Sequence, residues 1–191
     1  MPQELHPFIY QNQKLLYDLM YKSVSETLFE LSKDEKYLGA QPGFFSILHT
    51  WGQNLHFHPH IHTVVLAGGL TKINKWRSSS KKFFIPVKVL AKKFRGKYLH
   101  YRDKRLQFYG DAQVYQNPKL FKELLDQCYK KNWYSYAKEP FSGPMVVLKY
   151  LGRYTHRIAI SNQRIISMDE HTVTIAVKDY QNSSKKKTVT L

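Results

Sequence analysis

Apolar residues recur at helical spacing along positions 12–31, where Leu15, Leu16, Leu19, Met20, Val24, Leu28 and Leu31 mark one face of an amphipathic helix. The glycines at 39 and 43 break that pattern, and Phe44-Phe45-Ser46-Ile47-Leu48-His49-Thr50-Trp51 reads as a strand. After a loop, positions 60–66 read as a second strand. Alternation puts His60, His62 and Val64 on one face and Ile61, Thr63 and Val65 on the other, and Gly68-Gly69 is expected to end it. Positions 71–82, with their run of serines and lysines, are expected to form a solvated loop. Pro86 opens a predicted helix over 87–95. Asn117-Pro118 opens another, with Leu120, Phe121, Leu124, Leu125 and Cys128 facing inward. A short strand is expected over 133–137, and Gly143-Pro144 starts a further helix. Two last strands, 164–168 and 172–177, are joined through Asp169-Glu170-His171 as a tight hairpin, and the residues up to Leu191 read as the start of another. Helices and strands are interspersed without strict βαβ alternation, so the expected class is α+β with an antiparallel sheet, in one domain spanning 1–191.

Composition narrows the partners. Thirty Lys and Arg stand against fourteen Asp and Glu, a net charge of +16, which suits a polyanion bound through phosphates. The single cysteine, Cys128, excludes an internal disulfide and a cysteine-rich zinc module, and its helical setting makes it a small buried hydrophobe. No apolar run approaches the roughly 18 residues that span a bilayer, and no signal peptide is visible, so a cytoplasmic protein with no membrane partner is expected.

Five of the nine histidines fall between positions 49 and 62. His60 and His62, two apart on a strand, share a face, and neutral imidazole ligates Mn, Zn, Fe and Cu readily and Mg less typically. At least one more protein ligand is needed, and Gln53, His49, His56 and His58 are nearby in sequence. The histidine pair of a zinc hydrolase, His-Glu-x-x-His, is not found in the sequence.

The second constellation is Tyr150-Leu151-Gly152-Arg153-Tyr154. Tyrosines four apart on a helix lie on one face, about 6 Å apart along the axis. A phenol with an ordinary pKa of about 10 is a poor nucleophile without activation. Lys149, Arg153, His156 and Arg157 surround the pair and are suited to bind phosphate and stabilise phenolate. Spacing alone does not separate nucleophiles from packing residues: Tyr17 and Tyr21, on the first predicted helix, are also four apart.

Two long blocks carry a resemblance that covers nearly the whole chain. One is His49-Thr50-Trp51-Gly52-Gln53-Asn54-Leu55 with His58-Pro59-His60-Ile61-His62 and Gly68-Gly69. The other is Phe141-Ser142-Gly143-Pro144 followed by Tyr150 through Asn162. Together they resemble the catalytic core of the two-tyrosine HUH transposases of bacterial rolling-circle insertion sequences. The resemblance implies an α+β fold whose central antiparallel sheet, flanked by helices, carries the metal-binding histidines, here His60 and His62. It implies a third ligand on the neighbouring strand, Gln53 first and His49 second. It implies Mg or Mn as cofactor and attack by Tyr150 or Tyr154 on single-stranded DNA at transposon ends and target. The product would be a 5′ phosphotyrosine and a free 3′ hydroxyl. Full-length members usually begin with a cysteine-rich zinc-binding segment, which this sequence lacks, so a fragment of a longer protein is expected. A rolling-circle replication initiator or relaxase would share the chemistry, and a truncated remnant that binds DNA without cutting it would share the charge.

Overall fold

The computed structural model describes residues 1–52, 54–79, 85–100, 105–138, 140–155, 160–179 and 185–191. Its elements are a 3-10 turn at Gln3–Leu5, α1 (His6–Gln11), α2 (Gln13–Lys33), β1 (Gln41–Trp51), β2 (Phe57–Leu70), β3 (Trp76–Ser78) and α3 (Val87–His100). A 3-10 helix at Gly110–Gln116, α4 (Pro118–Lys130), α5 (Pro144–Thr155), a 3-10 turn at Asn162–Arg164, β4 (Ile165–Met168), β5 (Val173–Asp179) and β6 (Lys185–Thr190) follow. The class is α+β, with strands in two three-stranded sheets ordered β1-β2-β3 and β4-β5-β6. No helix among the described residues is long and apolar enough to cross a membrane.

The chain divides into two compact units, Met1–Leu48 with Ile61–Ser142 and His49–His60 with Gly143–Leu191, so the boundary runs through the β1–β2 hairpin. In the first unit α2 buries Leu16, Met20 and Leu28 on the face the periodicity marks. α2 also holds β1 in place: the Leu48 amide donates to the Tyr21 hydroxyl (2.9 Å), and Phe29 packs on Phe44 with ring centroids 5.0 Å apart. The Asn12 side chain clamps the chain at Gln107, donating to its carbonyl (2.8 Å) and accepting from its amide (2.7 Å). Phe8, Phe108, Tyr115 and Phe121 form an edge-to-face cluster beside it, the arrangement that ring quadrupoles favour. α4 begins as its sequence dictates: the Asn117 side chain accepts from the Lys119 amide and Pro118 occupies the first helical turn. Cys128 is fully buried, and burial pushes its thiol up to about 11.

Four expectations are corrected. Gly68-Gly69 lie inside β2, pairing with Ser78 and Arg77 of β3. A Cβ at Gly68 would strike the Trp76 ring and the Arg77 carbonyl, and one at Gly69 the Gln41 backbone, so glycine here permits close strand approach. Consequently β3 occupies part of the stretch read as loop. Leu120 is 40% exposed, because the inward face of α4 is centred on Leu124 and Cys128. Residues 133–137 form no strand: Trp133 is drawn into the core, its indole N–H donating to the Cys128 carbonyl (2.9 Å).

In the second unit β4 and β5 form the predicted hairpin, and β5 pairs antiparallel with β6 from Asp179↔Lys185 to Thr174↔Thr190. Asp169 closes the turn by accepting from the His171 and Thr172 amides (2.8 Å each) and the Thr172 hydroxyl (2.8 Å), which holds its carboxyl below the usual carboxylate range. Ile175 and Val177 are buried on β5.

Candidate functional site

β1 and β2 are hydrogen-bonded neighbours joined by the short segment 52–56, where the Gly52 amide donates to the His56 carbonyl (3.0 Å). A connection this short makes the pair antiparallel. Ser46 meets Thr63 through their hydroxyls (2.9 Å), and His49 meets His60 edge-to-face at 5.6 Å, so the two contacts share one register. Opposite residues share a face, and the period of two then assigns His49, Trp51, His58, His60 and His62 to one face of the hairpin, and Ser46 and Thr63 to the other.

On that face the ligand nitrogens of His49, His60 and His62 all lie within 4.8 Å of one another. His49 is buried (8% exposed) and its ring stacks on Trp51 at 5.2 Å and 13°. His60 Nδ1 lies 2.7 Å from the His58 carbonyl. A carbonyl only accepts, so Nδ1 carries the proton and Nε2 keeps its lone pair for a ligand, which is how metal-binding imidazoles are commonly oriented. Burial lowers the pKa of His60, and the neighbouring His58 and His49 lower it further against that hydrogen bond, favouring the neutral form that coordinates. Pro59, fully buried between His58 and His60, has no amide to donate and stiffens the backbone between them. Three imidazoles converging in this way fit a divalent transition metal, Zn, Mn, Fe or Cu, better than Mg.

The sequence-predicted residues are distributed as follows. His60 and His62 come together, and His49 is the histidine that joins them. Gln53 lies outside the described residues, as do His156 and Arg157. Tyr150 and Tyr154 are both on α5, with Tyr150 half-buried and Lys149 exposed beside it; Arg153 is on the same helix. α5 opens at Gly143-Pro144 as expected, the Gly143 carbonyl accepting from the Val146 and Val147 amides. His49 was available from sequence only as a second choice, because its place beside His60 depends on the hairpin register. Two aromatics near basic stretches differ in exposure: Trp76 is 55% exposed on β3, and Tyr98 is buried against Phe94 and Trp133.

Comparison with known proteins is consistent in direction. The family described as "Putative transposase" (Y2_Tnp) matches residues 43–191, which hold both the histidine hairpin and α5. The "Putative transposase y4qJ" of Sinorhizobium fredii (strain NBRC 101917 / NGR234) is 40% identical over 197 residues, covering 100% of this chain and 50% of that protein. The "Transposase for insertion sequence element IS801" of Pseudomonas savastanoi pv. phaseolicola is 25% identical over 173 residues, 86% of this chain and 39% of that protein. The chain thus spans half or less of the length of these relatives. No solved structure gives a significant match. The matched region covers most of the chain, and the chain belongs to this transposase family.

Proposed function

We propose that this chain is the catalytic core of a rolling-circle transposase that nicks single-stranded DNA and transfers the strand through a phosphotyrosine. The observation that supports it most is the convergence of His49, His60 and His62 on one hairpin face, in a chain of a transposase family. Those three imidazoles would hold a divalent cation, Mn by the softness of the donor set, which when bound would polarise the scissile phosphate and offset its developing charge.

The protein side chains do the rest. A phenol oxygen of Tyr150 or Tyr154 attacks the phosphorus, the bond to the 3′ oxygen breaks, and that oxygen leaves as a 3′ hydroxyl after taking a proton. The 5′ phosphate stays esterified to the tyrosine. Attack by a 3′ hydroxyl reverses the step and restores the phenol, so rejoining needs no nucleotide cofactor. Two tyrosines four apart on α5 allow a second strand to be cut while the first is still held. Lys149 and Arg153 on the same helix, with His156 and Arg157 after it, supply charge for phosphate binding. The DNA partner is expected to be transposon ends and target, and the setting the cytoplasm.

The test is strand cleavage of labelled single-stranded DNA with Mn or with EDTA, for the wild type and for His60→Ala and His62→Ala. Cleavage should need metal and fall at least a hundredfold in each variant, with DNA binding largely kept. Normal cutting by either variant would sink the metal assignment.

A further inference from the structure

We infer that Tyr134 and Tyr136 form a stacking platform for the bases of an unpaired nucleic-acid strand. Both rings stand almost wholly in solvent, Tyr134 at 96% and Tyr136 at 84% exposure. Large aromatic side chains normally bury most of their surface, so two such rings two residues apart are a surface awaiting a partner.

Their backbone is held from behind. Trp133 is buried against Phe94 (5.7 Å) and Tyr98 (5.9 Å), with its indole N–H on the Cys128 carbonyl. Arg95 donates to the Lys131 carbonyl (2.8 Å) while its guanidinium lies 4.6 Å over the Tyr129 ring. The segment leaving α4 is therefore fixed on α3 just before the exposed pair. From Trp133 (in) the chain passes to Tyr134 (out), Ser135 (half-buried) and Tyr136 (out), so both tyrosines face solvent.

Charge selects the occupant. Exposed Lys130 and Lys131 lead from α4 directly into the segment, and the whole chain carries +16. Aromatic rings beside cations are the combination that grips single strands, rings on bases and cations on phosphates. A duplex, whose bases are already stacked on each other, would gain nothing from the rings. The inference rests on the DNA-acting role proposed above and extends it to a surface outside the histidine hairpin and α5.

The experiment is fluorescence anisotropy with a labelled mixed-sequence single strand and its duplex. The wild type is compared with Tyr134→Ala/Tyr136→Ala and Tyr134→Phe/Tyr136→Phe, each first shown to melt like the wild type. The alanine variant should bind the single strand about 10- to 100-fold more weakly, with the salt dependence unchanged because no phosphate contact is lost. Duplex binding should stay within about twofold, and the phenylalanine variant, which keeps the rings, should match the wild type. Single-strand affinity within about twofold of wild type in the alanine variant would overturn the platform. So would a loss of self-association by sedimentation without loss of DNA affinity, which would make this face a protein interface. If the wild type cuts and binds single strands while the alanine variant binds them equally well, only this inference falls. If the wild type binds no single strand, the proposed single-strand nicking falls with it.

Discussion

Tyr17 and Tyr21 on α2 have the same spacing as Tyr150 and Tyr154 on α5, but the two helices differ. The first pair belongs to the fold. Tyr21 accepts the Leu48 amide and so ties α2 to β1, and burial pushes the Tyr17 hydroxyl above its ordinary value, away from the phenolate a nucleophile needs. α2 itself is a core helix that buries Leu16, Met20 and Leu28. α5 is a different kind of helix, with Met145, Leu148 and Lys149 exposed, and basic residues stand near its tyrosines in the sequence. Periodicity locates candidate pairs, and the hydrogen bond of Tyr21 to Leu48 marks the α2 pair as part of the fold.

The comparison can be broken most sharply at the histidine hairpin, because the proposed chemistry on α5 depends on it. His49→Ala should lower strand cleavage at least a hundredfold, as His60→Ala does, and weaken Mn binding by calorimetry. Cleavage within about twofold of wild type would remove His49 from the metal site and leave Gln53 as the third ligand.

A smaller effect is expected on α2. Tyr21→Phe should leave cleavage unchanged and cost about 1 kcal/mol through the unpaired Leu48 amide, a fall of roughly 2–4 °C in melting temperature. If it changed cleavage without changing stability, the contrast between the two tyrosine pairs would collapse.

The smallest effect lies where α2 meets α3. Glu30 pairs with Lys93 and with Lys97 (2.8 Å), and those hydrogen bonds hold its carboxyl below the ordinary carboxylate value. A depressed folded pKa contributes stability above the unfolded value, and that contribution is lost as pH falls through the folded one. All three side chains are partly exposed, so Glu30→Gln should cost at most about 0.5 kcal/mol at neutral pH. The difference from wild type should vanish in acid, and a gap that persisted there would point to packing instead of charge.

Much of this was legible in the sequence where one physical signal decides the outcome. The apolar stripe of α2, the Asn117-Pro118 start of α4, and the Asp169 turn between β4 and β5 are such cases. Sequence failed where tertiary approach overrides local propensity. Gly68-Gly69 reads as a strand end, yet the lack of side chains is what lets the Gln41 backbone and Trp76 press against β2. The aromatic run 133–137 reads as a strand, yet burial of Trp133 takes the backbone elsewhere. For the site, alternation was enough to pair His60 with His62. His49 needed the register across segment 52–56, which a sequence does not state, and the roles of Gln53, His156 and Arg157, outside the described residues, rest on the sequence and its resemblance alone.

The central claim is that a tyrosine of α5 becomes covalently joined to DNA. The direct measurement is a denaturing gel of the protein incubated with Mn and a pool of labelled single strands that includes transposon-end sequences. A band at the mass of protein plus DNA is expected for the wild type, for Tyr21→Phe and for at least one of the single variants Tyr150→Phe and Tyr154→Phe, and none for the double variant. An adduct that survives in the double variant would place the nucleophile elsewhere and contradict the account.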